Sequence, residues 1–218
     1  MPRPPIQTTQ WVADKMKTVG GIEDAEVTGP HTRRISRHDY GPVVAGIISL
    51  REVQASNILL LLNSGPGPDI IINVSKESCW RGDAIDLAKQ RNVAFGGLKD
   101  LMSCMSDDDI RSYVNKEYEF LDRGFRQHRK VSDCYREYDR LYLIRRREGL
   151  GPIRVVVLNE YELTGDHIRT ARDRYGFFDE ILLNNPNGKP TASAEQVASQ
   201  IGARIFMFGE LLRRLNQP

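Results

Sequence analysis

Residues 153–208 read IRVVVLNEYELTGDHIRTARDRYGFFDEILLNNPNGKPTASAEQVASQIGARIFMF, in which short apolar segments alternate with helical patterns. The apolar segments are IRVVVLN (153–159), EILLN (180–184) and ARIFMF (203–208). Thr164 is placed to cap a helix over 166–175, and further helices are predicted over 193–201 and 210–215. Strands that alternate with helices of about ten residues indicate βαβ units and hence a parallel sheet.

The first half of the chain carries similar apolar segments, namely PVVAGIISL (42–50), NILLLLN (57–63) and DIIINV (69–74). Both alternate positions of these segments are apolar, which is typical of strands buried on both faces. A turn cluster, SGPGP (64–68), separates the last two, and a helix, a short strand and a helix are predicted over 83–105. The whole pattern predicts a three-layer α/β fold with a mostly parallel central sheet.

Residues 106–149 have a different pattern. SDDD (106–109) favours a helix start, because it offers a capping serine and acids in the first turn. A second helix is predicted from Ser132 to the turn GLGP (149–152). The two helices would carry apolar and aromatic residues at helical spacing: Ile110, Tyr113, Val114, Leu121, Phe125, Tyr135, Tyr138, Leu141 and Tyr142. We predict a helical hairpin at 106–149 between an N-terminal α/β half (1–105) and a C-terminal βαβαβα half (150–218), with one continuous domain as the alternative.

The composition is ordinary for a globular protein, with 40% hydrophobic and 28% charged residues. A formal net charge of +2 neither demands nor excludes a nucleic-acid partner. The three cysteines are too widely spaced to indicate a disulfide framework or a CxxC metal pair. No apolar segment approaches the roughly 20 residues that span a bilayer, and residues 1–5 lack the apolar core of a signal peptide. We therefore expect a cytoplasmic protein with no membrane partner.

Part of the first half resembles the last third when the sequence is shifted by 111 positions. Ile70 then falls on Ile181 and Asn73 on Asn184. One interpretation is a duplicated unit, in which Asn73 and Asn184 are equivalent. The other is two similar pieces of a single sheet.

The segments DIIIN (69–73), WRGDA (80–84), LAK (87–89) and NVAF (92–95), with a leucine-bearing turn at 98–101, form a strand, a helix, a short strand and a turn. This pattern of about forty residues resembles the closing part of restriction-endonuclease-like domains of the Mrr type. The resemblance implies a nuclease core. In that family an acid on one strand, and an Asp, Glu or Gln two residues before a lysine on the next, hold a divalent metal and activate water.

No lysine of this chain has an acid or a glutamine two residues before it. The resemblance therefore implies a copy that is inactive or has moved its lysine, with Asp69, Lys76 and Glu77 as weak catalytic candidates. Asp69 could equally be a turn residue after Pro68. A divalent metal is expected only if the nuclease-like interpretation holds, and no other cofactor is evident.

Basic residues are concentrated in the predicted hairpin, where tyrosines interleave with them. Arginine contacts phosphates bidentately and aromatic rings stack on exposed bases, so this segment is a candidate surface for DNA or RNA. The alternative is an amphipathic helix pair with solvated arginines, or one that binds a protein partner or a second copy. The candidate nucleic-acid-binding residues are Arg126, Arg129, Lys130, Arg136, Arg140, Arg145, Arg146 and Arg147.

Several predicted strands end in asparagine. Ligands of open α/β sheets bind beyond the carboxyl ends of the strands, although asparagine is also a common turn residue. The candidate crevice residues are Asn73, Asn159, Glu160, Asn184, Asn187 and Lys189. The sequence thus favours a nucleic-acid-associated α/β protein, a diverged or inactive nuclease-like domain. The alternative is a non-catalytic ligand-binding or protein-interaction module that uses this crevice. Neither hypothesis decides whether the chain is an enzyme.

Overall fold

A computed structural model describes residues 5–63, 65 and 67–218, so two positions of the predicted turn cluster, 64 and 66, lie outside the described residues. The chain divides into two compact units, Met1–Tyr118 and Glu119–Pro218. None of the described helices is long and apolar enough to cross a membrane.

The first unit contains one five-stranded sheet with the strand order β1-β2-β3-β5-β7. The pairs β1–β2 and β2–β3 are antiparallel, whereas β3–β5 and β5–β7 are parallel; the short strands β4 and β6 pair separately. Its elements are α1 (Pro5–Met16), β1 (Ile22–Val27), β2 (Thr32–Arg37), β3 (Val43–Ile48), β4 (Glu52–Val53), α2 (Ala55–Leu62), β5 (Ile70–Asn73), β6 (Cys79–Trp80), α3 (Gly82–Gln90), β7 (Ala94–Gly96) and α4 (Leu98–Ser103).

Helices cover both faces of this sheet. Ile70 and Ile72 of β5 pack in one core with residues of α1 and α4, and Ile71 packs in another with residues of α2 and α3. Successive side chains of a strand point to opposite faces, so a strand between two layers of helices must be apolar at every position. This is why β5 reads as an unbroken run of isoleucine.

The second unit repeats this order of elements. Its sheet runs β8-β9-β10-β12-β14, with β8–β9 and β9–β10 antiparallel, β10–β12 and β12–β14 parallel, and a separate β11–β13 pair. Its elements are α5 (Lys116–Gln127), which begins at the end of the first unit, β8 (Val131–Tyr138), β9 (Leu141–Arg146), β10 (Ile153–Leu158), β11 (Glu162–Leu163), α6 (Gly165–Tyr175), β12 (Glu180–Leu183), β13 (Lys189–Pro190), α7 (Ala192–Gln200), β14 (Arg204–Met207) and α8 (Phe208–Arg214).

The prediction of one mostly parallel, three-layer sheet with a helical hairpin is wrong. The described residues form two mixed five-stranded sheets, of which β3-β5-β7 and β10-β12-β14 are the parallel parts, and two short parallel pairs, β4–β6 and β11–β13. The second predicted hairpin helix is the antiparallel pair β8–β9, in which Cys134 and Arg136 are buried and Tyr135 is exposed. The segment NILLLLN, predicted as a strand, lies in α2, because a short apolar run does not distinguish a strand from a buried helix.

The sequences of the two units align over β3 to α4 at an offset of 110 residues, which places Asp69 opposite Asp179. The strands β3 to β6 and the helix α3 then begin and end at the positions equivalent to those of β10 to β13 and α7. Asn92 and Gly202, which follow these two helices, both have positive φ, at 51° and 74°. The shift of 111 was wrong by one residue, and a slip of one reverses the faces of every strand. Asn73 therefore corresponds to Leu183, not to Asn184.

Candidate functional site

Each unit has a cleft at the same place in its fold, at the carboxyl end of its third strand and beside the first turns of the next helix. In the first unit the cleft is a cavity of about 250 Å³ at the ends of β3 and α2, and in the second a cavity of about 330 Å³ at the ends of β10 and α6. Residues of the first cleft and their equivalents in the second are Ile47 and Val157, Leu50 and Glu160, Asn57 and His167, and Leu60 and Thr170. The repeated location makes this cleft the candidate functional site.

Backbone hydrogen bonds fix the outer wall of each cleft. The N–H of Ile47 donates to the carbonyl of His31 at 2.7 Å, and the N–H of Val157 donates to the carbonyl of Arg140 at 2.8 Å. His31 and Arg140 therefore hold equivalent positions, each just before the strand that runs antiparallel to the cleft strand.

The N-terminal cap of the adjacent helix fixes the inner wall. In the second unit the His167 N–H donates to Thr164 Oγ1 at 3.4 Å, and the Thr164 N–H donates to His167 Nδ1 at 3.2 Å. This reciprocal capping box makes Nδ1 an acceptor, so the proton of the neutral ring is on Nε2. Nε2 lies 4.0 Å from the Glu160 carboxylate. Asn57 caps α2 in the same way, since its Oδ1 accepts from the Gln54 N–H at 2.8 Å.

A glycine holds the loop after β12 against the strand end. A Cβ at Gly188 would lie 2.5 Å from the Glu160 carbonyl oxygen, so only glycine permits this approach. The following residue, Lys189, starts β13, and its N–H donates to the Tyr161 carbonyl at 2.9 Å. The backbone at Glu160 and Tyr161 is thus held by the close approach of Gly188 and by the hydrogen bond from Lys189.

The two clefts differ in chemistry. The first is largely apolar, and His31 is its one ionisable lining residue among those described. The second is lined by Arg140, Arg174, His167 and Glu160. Burial is the main cause that raises the pKa of the buried Tyr175, which also lines this cleft, and it outweighs the lowering effect of the neighbouring Arg174 side chain. The phenol therefore stays protonated.

Neither cleft carries the donor set of a metal nuclease. Where that donor set needs an acid on one strand and Asp, Glu or Gln two residues before lysine on the next, the second unit has Arg140, bonded through its backbone to Val157, and Asn159 two residues further on. The first has His31, bonded in the same way to Ile47, and Ser49 two residues further on. In the described part of the chain, no group of three or more His, Cys, Asp or Glu residues could hold a metal ion. The residues present do not fit a divalent metal here.

Asp69, the leading catalytic candidate from the sequence, joins two strands. Its Oδ2 accepts from the Val44 N–H at 2.8 Å, and its Oδ1 accepts from Arg111 Nε at 2.8 Å. Asp179 repeats the first bond, since its Oδ2 accepts from the Arg154 N–H at 2.8 Å. The same hydrogen bond occurs in both units. It therefore explains why an aspartate precedes β5 in the first unit and β12 in the second.

The other two catalytic candidates lie away from Asp69. Lys76 and Glu77 are exposed in the turn after β5, whereas Asp69 immediately precedes that strand. Four residues of strand separate them, roughly 13 Å at ~3.3 Å per residue. The structure does not bring these three side chains into one site.

The predicted asparagine crevice is divided between two sheets. Asn73 is buried in the first unit, where its amide accepts from the Leu50 N–H at 3.0 Å and donates to the Leu50 carbonyl at 2.8 Å. Asn159 and Glu160 line the cleft of the second unit. The remaining crevice candidates follow β12 without lining that cleft: Asn184, Asn187 and Lys189.

Five of the eight predicted nucleic-acid-binding residues have partners within the protein or line the cleft. Arg136 is buried, pairs with Asp122 at 2.7 Å and stacks on a tyrosine ring. Lys130 pairs with Glu148, Arg146 and Arg147 donate to backbone carbonyls at 2.7 and 3.1 Å, and Arg140 lines the cleft. Four of the eight residues are exposed and form what we call the arginine cluster: Arg126, Arg129, Arg145 and Arg147.

The arginine cluster lies where α5 leads into β8, next to the end of β9. Arg126 and Arg129 lie in and just after the last turn of α5. Arg145 is the cross-strand neighbour of Asp133, and the Arg147 N–H donates to the Lys130 carbonyl at 2.8 Å. The same end of the first unit carries ion pairs instead, Lys17–Asp24 at 2.8 Å and His38–Glu23 at 3.3 Å.

The three cysteines are buried, and the structure places none of them in a cleft. Burial is the main cause that raises the pKa of Cys104 and of Cys134 to about 12, so both thiols stay protonated.

Comparisons with protein-family models, with curated proteins and with solved structures find no match to this chain.

Sequence reasoning missed three residues of the second cleft: His167, Arg174 and Tyr175. The signal available for His167 was its spacing from Thr164, which is that of a capping box with histidine in place of Glu or Gln. The correct offset of 110 also aligns His167 with Asn57, the cap of the equivalent helix.

Proposed function

We propose that this chain is a nucleic-acid-associated protein that does not cleave its partner, built from two nuclease-like units without a metal site. The observation that carries the proposal is the arginine cluster of the second unit. Its four residues are exposed, and no carboxylate of the described residues lies within ion-pair distance of them, although Arg147 Nε donates to the Val131 carbonyl at 3.1 Å. Arginine at such a surface contacts phosphates with two parallel hydrogen bonds.

The contrast between the units supports this proposal. At the equivalent end of the first unit Lys17 is paired with Asp24, and His38 Nδ1 lies 3.3 Å from the Glu23 carboxylate. In the second unit an exposed tyrosine, Tyr135, lies on the same strand as Asp133 and can stack on an unpaired base. The repeated nuclease-like element order, combined with clefts that lack metal-binding residues, favours binding without hydrolysis.

The proposal is tested by fluorescence anisotropy with labelled single-stranded DNA, duplex DNA and RNA, at 50 and 200 mM salt and with Mg²⁺ present. We expect binding that weakens steeply with salt, with the oligonucleotide recovered intact. The double variant Arg145→Ala/Arg147→Ala should reduce the slope of log K against log salt by about 0.7–0.9 for each phosphate that it no longer neutralises.

The matched control is Arg34→Ala/Arg51→Ala, which removes the same charge from two exposed arginines of the first unit. It should leave the affinity and the salt slope nearly unchanged. Equal losses of affinity in both double variants would show only a non-specific effect of net charge and would overturn the assignment to the arginine cluster. An absence of binding to all three nucleic acids at 50 mM salt would overturn the proposed function.

A further inference from the structure

We infer that the cleft of the second unit binds a nucleoside monophosphate group, either as a free nucleotide or as the phosphorylated end of a strand. This site is separate from the arginine cluster. Arg140 immediately precedes β9 and Arg145 lies near the end of that strand. The two arginines are about five residues apart along an extended chain, roughly 16 Å at ~3.3 Å per residue.

Three residues of the cleft provide donors for the phosphate. Arg140 comes from the turn between β8 and β9, and Arg174 from the last turn of α6. Thr170, one turn before Arg174 on α6, adds a hydroxyl. Two guanidinium groups and a hydroxyl in one cleft suit an oxyanion with several acceptor atoms, and a terminal phosphate has three.

The same cleft provides an acceptor. Glu160 follows the end of β10, and His167 Nε2 lies 4.0 Å from its carboxylate. A carboxylate here disfavours a bare anion but accepts hydrogen bonds from a sugar diol, as acidic residues at strand ends do for ribose. Asn159, beside Glu160, can both donate and accept. A ligand that uses all of these residues carries both an anionic group and hydroxyl donors.

The position and size of the cleft fit such a ligand. β10 pairs with antiparallel β9 on one side and parallel β12 on the other, and the chain leaves it for α6. Open α/β sheets bind ligands beyond the carboxyl ends of their strands, and the cleft lies at that end of β10. A cavity of about 330 Å³ lies at the lower end of the range for small-ligand sites, roughly 300–1,000 Å³.

The first unit provides an internal contrast. In its cleft His31 stands in place of Arg140, Leu50 in place of Glu160 and Leu60 in place of Thr170. That cleft therefore has neither a guanidinium nor a carboxylate among its described lining residues. We assign the nucleotide site to the second unit alone.

Isothermal titration calorimetry of the full chain with adenosine 5′-monophosphate, adenosine and inorganic phosphate tests the inference. The monophosphate should bind at least about tenfold more tightly than adenosine or inorganic phosphate, because it contacts both the arginines and the Glu160 carboxylate. Arg174→Gln should lower its affinity by about tenfold. Arg169→Gln is the matched control, since Arg169 is on the same helix but exposed and paired with Asp166.

Glu160→Gln separates a nucleotide site from a simple anion site. It should abolish any preference for the ribonucleotide over its 2′-deoxy form and strengthen the binding of inorganic phosphate, because a repelling carboxylate is removed. A 5′-phosphorylated and a 5′-hydroxyl oligonucleotide distinguish the strand end from the free nucleotide. If the 5′-phosphorylated oligonucleotide binds more tightly than the 5′-hydroxyl one, and Arg174→Gln abolishes that difference in affinity, the ligand is the strand end.

The inference is overturned if neither the mononucleotide nor the 5′-phosphate contributes to binding, or if Arg174→Gln and Arg169→Gln behave alike. It is also overturned if Glu160→Gln leaves the ribose preference and phosphate binding unchanged. Its outcome is independent of the proposed function, because nucleic-acid binding through Arg145 and Arg147 is measured with oligonucleotides that carry no terminal phosphate.

Discussion

Replacing Asp179 by alanine tests whether the aspartates before the fourth strand of each sheet are structural. In the second unit this substitution removes the acceptor of the Arg154 N–H, a bond of 2.8 Å. In the first unit Asp69→Ala removes the acceptor of the Val44 N–H, also at 2.8 Å. Each change leaves the N–H of a sheet strand without its partner.

The size of the effect follows from the strength and exposure of these bonds. A hydrogen bond to a charged group contributes roughly 1.5–3 kcal/mol when it is well shielded. The Asp69 side chain is 22% exposed, so the lower part of that range applies, about 1.5–2 kcal/mol. The Arg111 ion pair adds little, because the Arg111 side chain is 40% exposed and exposed ion pairs contribute about 0–1 kcal/mol. We expect the free energy of unfolding to fall by about 2 kcal/mol for Asp69→Ala and by about 1.5 kcal/mol for Asp179→Ala.

Urea denaturation followed by circular dichroism measures the destabilisation, and amide hydrogen exchange locates it. Asp69→Ala should speed exchange at Val44, and Asp179→Ala at Arg154. The control Asp173→Ala removes the same charge from an exposed position of α6 and should leave stability within about 0.5 kcal/mol. If Asp179→Ala is as stable as the control, the bond does not stabilise the sheet and the structural interpretation of Asp69 fails with it.

Three further predictions concern the buried polar groups. The pKa of His128 is lowered from 6.5, mainly by burial, so the native state binds fewer protons than the unfolded state. The stability associated with neutral His128 is therefore present above about pH 6.5 and is lost as the pH falls. His128→Gln should make the urea midpoint depend less on pH in that range. Arg136→Ala should cost about 2–3 kcal/mol in urea denaturation, because it removes the buried guanidinium that pairs with the partly exposed Asp122 carboxylate, whereas Arg136→Met/Asp122→Leu should recover most of that stability. In the native protein the buried thiols of Cys79, Cys104 and Cys134 should react with Ellman's reagent only as fast as the fold opens. Full reaction within seconds without denaturant would contradict their burial.

The sequence predicted the parallel strands of the last third because most of their residues are apolar, and the central strand β12 is buried at every position. The predicted segments at 153–159, 180–184 and 203–208 contain β10, β12 and β14. The one polar residue of β12, Glu180, has partners, since its carboxylate accepts from Arg204 and Arg214 at 2.8 Å each. Such strands are visible without knowledge of their neighbours.

The hairpin β8–β9 was not predicted because its burial depends on neighbours that are remote in sequence. Tyr135, Tyr138 and Tyr142 recur at helical spacing, yet Tyr135 is exposed on one strand and Tyr142 is fully buried on the next. The core that buries one face of this hairpin includes residues of α5 and α8, the latter about seventy residues away. Local periodicity could not supply that information.

The candidate site was predicted only in part, since Asn159 and Glu160 follow a visible strand but Arg174 does not. Arg174 reaches the cleft because α6 folds back over β10, which sequence spacing alone does not indicate. The slip of one residue in the internal repeat had a similar origin. Isoleucine and leucine at successive positions match equally well in either register, whereas the bonds of Asp69 and Asp179 select one.

The central claim is that this chain binds nucleic acid through the arginine cluster without cleaving it. The most direct test is a salt titration of labelled single-stranded DNA or RNA against the wild-type chain and Arg145→Ala/Arg147→Ala, with Mg²⁺ present and the oligonucleotide sized afterwards. We predict an intact oligonucleotide, binding that weakens with salt, and a smaller salt slope in the double variant. Cleavage by the wild-type chain, or the same affinity and slope in both proteins, would contradict this claim.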